Sequence, residues 1–152
     1  MKKILLHQYQ GIVDKAAAST GDLVVPDEGW IRTLRKALGM SGAQLARRLG
    51  VSRSQVAQSE KNELSGAITL KTLRNMAQAM GGRVVHTIVL PASASELVHQ
   101  RAREKARQIL QQANTHMALE SQVLDKDNQA FELRRLEQEL LEQMPADFWD
   151  DV

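Results

Sequence analysis

Residues 41–61 read SGAQLARRLGVSRSQVAQSEK, and the fold turns on this stretch. Ser41 with Gln44, and Ser52 with Gln55, form two Ser-x-x-Gln pairs. In such a pair the Ser oxygen accepts a backbone N–H in the first turn of a helix. The Gln side chain reaches back to the N–H of the Ser. Two helices are therefore expected, one opening at Ser41 and one at Ser52. Gly50 stands between them and supplies, at little cost, the positive φ that ends the first. The second is expected to run to Lys61 or Asn62. Helices this short must cross closely, so the contact position must be small, and Ala46 meets that need. Leu45, Leu49, Val51 and Val56 have the spacing of anchors to a surrounding core. Ser59 departs from the pattern, because a larger apolar residue would pack better there.

The outer face of the second helix follows from a turn of about 100° per residue. With Val56 inward, Ser54 and Gln58 lie near the opposite side, flanked by Ala57 and Lys61. Arg53 opens the first turn, where a recognition helix meets base edges. Arg can bond guanine with two donors, and Gln can bond adenine in the same two-pronged way. Arg53, Ser54, Gln55 and Gln58 are the expected base readers. Gln44, Ser52, Lys61, Asn62, Thr69 and Lys71 are expected on phosphates, helped by the exposed N–H groups that open helices. Ala46, Gly50, Val51 and Val56 hold the motif together. This pattern predicts a helix-turn-helix that binds double-stranded DNA.

Charge supports that reading. Residues 29–83 hold ten Lys or Arg against Glu60 and Glu63, a net +8. Residues 120–152 hold three Lys or Arg against ten Asp or Glu, a net −7. The whole chain, at +2, hides this asymmetry. A basic region beside an acidic one suggests a polyanion-binding part and a part with a different task.

Outward from the motif, a helix is expected over Gly29–Leu38, with Asp27 as its N-cap, Gly39 past its end and Trp30, Ile31, Leu34 and Leu38 along one stripe. Another is expected over Thr69–Met80, with Leu70, Leu73, Met76, Ala77 and Met80 inward, stopped by Gly81-Gly82. Arg83–Leu90 reads RVVHTIVL, β-branched and bounded by Gly and Pro91, which predicts one short strand. Its mate is either Leu23–Val25 or the same strand of a second chain. Ser93 with Glu96 opens a long helix over Ser95–Leu124. Asp125–Asn128 is expected to break it, and a last helix covers Gln129–Gln143. Residues 1–25 form a weak N-terminal helix with a looser tail. The fold class is thus mostly α, with domains at 1–28 (N-terminal helix and linker), 29–82 (DNA-binding) and 83–152 (strand plus a C-terminal helical pair).

The seams of that pair are Val98, Ala102, Ala106, Ile109, Ala113 and Met117 against Leu133, Leu136, Leu140 and Met144. Phe148 and Trp149 follow Pro145 and are expected to anchor a protein partner. A two-fold DNA site and the unpaired strand together predict a homodimer.

The motif resembles the Xre-type, phage-repressor-like helix-turn-helix family. A closer resemblance extends over Pro26–Ser52, Ile68–Gly82, Arg101–Arg107 (RAREKAR) and His116–Gln122 (HMALESQ). These stretches look like the family called mobile mystery protein A. The resemblance implies the antitoxin half of a two-gene module on mobile elements, with a Fic-domain toxin as partner. Fic inhibitors of the best-described kind carry Ser or Thr, three residues, Glu, then Gly or Asn. Ser59 and Glu63 have that spacing here, but Leu64 follows.

The chain has no cysteine, which removes thiol catalysis and thiolate metal sites. Its four His are scattered, so no metal or other cofactor is expected, and no nucleophile, carboxylate-pair or phosphate-loop motif suggests an enzyme. No apolar run approaches a membrane span, and Ile4-Leu5-Leu6 is too short for a signal-peptide core, so a cytoplasmic protein is expected. Two other roles fit the same residues: a stand-alone Xre-family repressor whose C-terminal half only dimerises, and a protein-interaction module whose basic face is incidental.

Overall fold

The computed structural model describes residues 2–119 and 125–151. The chain divides into two compact units, Thr20–Thr87 and Met1–Ser19 with Ile88–Val152. The boundaries fall at 20 and 88, and the N-terminal helix groups with the C-terminal residues.

In the first unit, four helices surround one core: α2 (Trp30–Ala37), α3 (Gly42–Leu49), α4 (Arg53–Ser65) and α5 (Leu70–Ala79). Ile31, Leu45, Ala46, Val56, Met76 and Met80 are buried, with Leu34, Met40, Leu49 and Leu73 packed around them. Both capping boxes form as expected. The Ser41 and Ser52 hydroxyl oxygens each accept from the backbone N–H three residues on, at 3.1 Å. Gly50 closes α3 in the left-handed region at φ 69°.

Several expectations change. Trp30, Leu38, Val51 and Leu70 are exposed rather than inward. A helix of two turns, such as α2, turns few positions fully into the core, and here Ile31 takes that place. Helix α4 runs a turn past Asn62, because its left-handed cap is Gly66, at φ 75°. Asp27 does not cap α2. The N-cap position is Gly29, which has no side chain to offer.

The strand expected over Arg83–Leu90 does not form among the described residues. A strand exists only as one side of a ladder, and Leu23–Val25 forms no ladder with this segment. Val85, Ile88 and Val89 are left exposed.

The second unit contains α1 (Lys2–Thr20), α6 (Ala94–Leu119) and α7 (Lys126–Gln143). Helix α1 buries no residue. Its Asp14 carboxylate accepts from the Ala94 N–H at the start of α6, at 3.0 Å. The Ser93–Glu96 capping box forms there too. Helices α6 and α7 pack antiparallel. Ala102, Ala106, Leu140 and Phe148 are buried between them, with Val98, Ile109, Leu133, Leu136 and Met144 alongside. Small Ala side chains on α6 let α7 approach closely. Ala113 of the expected seam is exposed.

The expected break at Asp125–Asn128 is instead a helix start. The Asp125 carboxylate accepts from the Asn128 N–H at 2.8 Å, and α7 begins at Lys126. The last expected turn of the long helix, 120–124, lies outside the described residues.

Candidate nucleic-acid interface

The candidate interface is built on α3 and α4. The turn between them is three residues, Gly50-Val51-Ser52. The Val51 N–H donates to the Ala46 carbonyl at 3.0 Å, which folds the chain back sharply. Ala46 is buried at 4% exposure and Leu45 at 0%, so the pair sits tightly on the core. This leaves the outer face of α4 open. Arg53, Ser54, Gln55 and Gln58 are all exposed.

Their chemistry is not equally free. The Gln55 side-chain oxygen accepts from the Ser52 N–H at 2.8 Å, which ties one of its lone pairs to the cap and leaves its amide donors free of that bond. Gln58 donates to the Asn62 side-chain oxygen at 2.9 Å. That bond takes one of the two Gln58 amide protons, and the other proton and the side-chain oxygen remain for a two-pronged adenine contact. Among the expected phosphate contacts, Gln44, Ser52 and Thr69 are occupied as caps. Gln44 accepts from the Ser41 N–H at 2.7 Å, and Thr69 accepts from the Thr72 N–H at 3.1 Å. The capping leaves other first-turn N–H groups of each helix facing outward. Lys61 and Lys71 are exposed with no ion pair among the described residues.

Ion pairing sorts the cations of this unit. On α2, Arg32 and Lys36 pair with Glu28, and Arg35 pairs with Glu60 on α4 at 2.8 Å. Lys36 holds the Glu28 carboxyl below the usual carboxylate range, chiefly through its hydrogen bond, with desolvation opposing and its charge adding. By contrast Arg47, Arg53, Lys61, Lys71, Arg74 and Arg83 are exposed, and none makes an ion pair among the described residues. Positive charge left uncompensated on α3, α4 and α5, and at Arg83 beyond α5, is what a phosphate backbone neutralises. Arg47 and Arg74 belong to this set although motif reasoning passed over them. The regional charge balance was their signal.

Two carboxylates on the back of α4 orient its outer face. Glu63 accepts from the Trp30 N–H at 2.6 Å and from the Ile31 N–H at 3.0 Å. It thus supplies the N-cap that α2 lacks, from more than thirty residues away. With Glu60 on Arg35, it fixes α4 against α2 at two points one turn apart. Glu63 is therefore engaged within the domain. Ser59, the irregular anchor, is half-buried beside Val56, Asn62 and Met76.

A family model described as helix-turn-helix matches residues 31–85. That segment is an Xre-type helix-turn-helix domain. A domain of this type suggests a DNA-binding transcription regulator. The match spans roughly a third of the chain and covers α2 to α5. Comparison with curated proteins and with solved structures finds no match.

In the other unit, Phe148 is 1% exposed while Trp149 is 59% exposed. The two rings meet edge to face at 5.2 Å. Two cations of α6 hold this C-terminal turn. Arg101 donates to the Phe148 carbonyl at 2.9 Å, and the buried Lys105 ammonium donates to the Asp147 carboxylate at 2.9 Å and to its carbonyl. Of the two expected aromatic anchors, Trp149 has a ring to offer a partner and Phe148 is core. Among the described residues, no three His, Asp or Glu converge on a metal-sized site, and no helix is long and apolar enough to cross a membrane.

Proposed function

We propose that the protein is a sequence-specific transcriptional repressor, acting as a homodimer on an inverted-repeat operator. The observation that carries this is the outer face of α4, with Arg53, Ser54 and Gln58 exposed and Arg53 and Lys61 of that helix in no ion pair among the described residues. The role is one of binding, without catalysis or cofactor, in the cytoplasm. Selection from a random duplex pool tests it directly. The expected product is an inverted repeat whose half-sites lie about 34 Å apart or a multiple of that. Affinity should fall steeply as salt rises. A pool that yields no preferred sequence refutes the reading.

The repressor is further proposed to be the antitoxin of a toxin–antitoxin module, regulating its own operon and binding a Fic-domain toxin. The resemblance to mobile mystery protein A supports this, as does the acidic segment 120–152, whose −7 charge repels DNA but steers a basic protein. Leu64 after Glu63, and the bonds of Glu63 to α2, speak against neutralisation through Ser59 and Glu63. Trp149 is the anchor offered to the partner. Co-purification with a Fic-domain protein encoded next to this gene, weakened by Trp149→Ala, is the expected result. Absence of a complex with that protein refutes the antitoxin role and leaves the repressor role.

A further inference from the structure

Arg83–Leu90 combines three properties that rarely coexist on a finished surface. Its sequence alternates apolar residues on both faces: Val84, His86, Ile88 and Leu90 on one, Val85, Thr87 and Val89 on the other. Val85 is 69% exposed and Ile88 81% exposed. Its backbone N–H and C=O groups make no bond to another backbone group among the described residues. The mate available within the chain, Leu23–Val25, does not take it up. A β-prone, apolar segment with free backbone groups is a template for pairing with another chain.

We propose that the mate is the same segment of a second copy of this chain, paired antiparallel about a two-fold axis at Thr87. This rests on the DNA-binding reading only in that a two-fold operator calls for a two-fold protein. The register follows from self-complementarity. With Thr87 opposite its own copy, Val85 faces Val89, Val84 faces Leu90 and His86 faces Ile88. Every apolar residue meets an apolar or neutral one, and no like charges oppose each other. Gly82 and Pro91 end the ladder at nearly equal distances from the axis, and Pro91 has no N–H to extend it. Pairing gives the backbone groups of both copies partners that neither chain supplies alone. It also brings apolar cover to a groove. Val84 and Val85, with Leu23, Trp30, Leu34 and Leu70, line a cavity of about 390 Å³ in the helix-turn-helix unit.

The absence of native cysteine makes the test clean. Thr87→Cys places one thiol per chain on the axis, where opposed Cα atoms lie about 4.5–5.5 Å apart, within disulfide reach. Mild oxidation should convert most of that protein to covalent dimer. Val85→Cys alone places the two thiols about 14 Å apart at a strand rise of roughly 3.4 Å per residue, and should not cross-link. Combined with Val89→Cys, it should. Ile88→Glu changes a side chain exposed in the single chain, so the fold should persist by circular dichroism. In sedimentation at tens of micromolar, the parent should run as a dimer and Ile88→Glu as a monomer.

A monomeric parent overturns the proposal. So does a dimer untouched by Ile88→Glu, or a Val85→Cys variant that cross-links more readily than Thr87→Cys. Retardation of half-site DNA at low salt is read separately. If the dimer fails while half-site binding persists, the strand pairing is wrong and the DNA reading stands. If the dimer forms and no DNA is bound, the DNA reading is wrong and the pairing stands.

Discussion

Glu63→Ala should destabilise the helix-turn-helix unit far more than a charge removed from an exposed helix end. The Glu63 carboxylate takes two backbone N–H groups of α2, at 2.6 and 3.0 Å. Hydrogen bonds to charged groups are worth about 1.5–3 kcal/mol each, and losing an ordinary N-cap costs about 0.5–2 kcal/mol. The Trp30 end of the contact is exposed, which lowers its share, while Ile31 is 2% exposed and its N–H would be stranded. The expected loss is about 2–3 kcal/mol. For a domain of this size that is a large part of a total near 3–10 kcal/mol, and it lowers Tm by roughly 8–20 °C. The assay is urea unfolding followed by Trp30 fluorescence, in a Trp149→Phe background so that Trp30 is the sole reporter.

Gly29→Ala supplies the cross-check. Gly29 sits at φ 80°, and a Cβ there would lie 2.9 Å from a Glu63 oxygen. At φ 80° and ψ 163° the backbone is in a region essentially reserved for glycine, which costs about 1–3 kcal/mol for a residue with a Cβ. Displacing the carboxylate adds the loss of its bonds. The pair should therefore couple, with the double variant less destabilised than the two single losses together. A Glu63→Ala loss under about 0.5 kcal/mol, or strict additivity with Gly29→Ala, refutes the clamp, since surface substitutions stay within that range.

Arg53→Ala or Gln58→Ala should cost about 1–3 kcal/mol on a cognate site and relax base preference, whereas Lys71→Ala should weaken all sequences alike and lower the salt slope by about 1; competition against random DNA separates these outcomes. Phe148→Ala should destabilise the unit holding α6 and α7 by about 3–5 kcal/mol, measured by denaturation, because it empties a site 1% exposed. Lys105, chiefly through its hydrogen bond and also through its charge, holds the Asp147 carboxyl below its ordinary range. A lowered carboxyl stabilises the fold above its unfolded-state value and loses that contribution as pH falls through the folded-state value. Acid titration of this unit should therefore lose less stability in Asp147→Asn than in the parent.

Local chemistry in the chain was enough to place the helix-turn-helix motif. Ser41, Ser52 and Gly50 act through partners within three or four residues, so their roles follow from spacing alone, as do the capping box at Ser93 and the α6–α7 seam around Ala102, Ala106 and Leu140. The regional charge also survived folding, because Arg53, Lys61 and Lys71 needed only to remain on the surface. Tertiary structure decided whatever depends on a distant partner. The cap of α2 comes from Glu63, across a packed domain, where sequence proximity pointed to Asp27. Phe148 reads as an exposed anchor until Arg101 and Lys105, more than forty residues earlier, take hold of the turn that carries it. Arg83–Leu90 has every mark of a strand, yet a ladder needs a second edge, and one chain does not provide it. Periodicity and capping are properties of a segment; burial, borrowed caps and strand pairing belong to the fold that brings segments together.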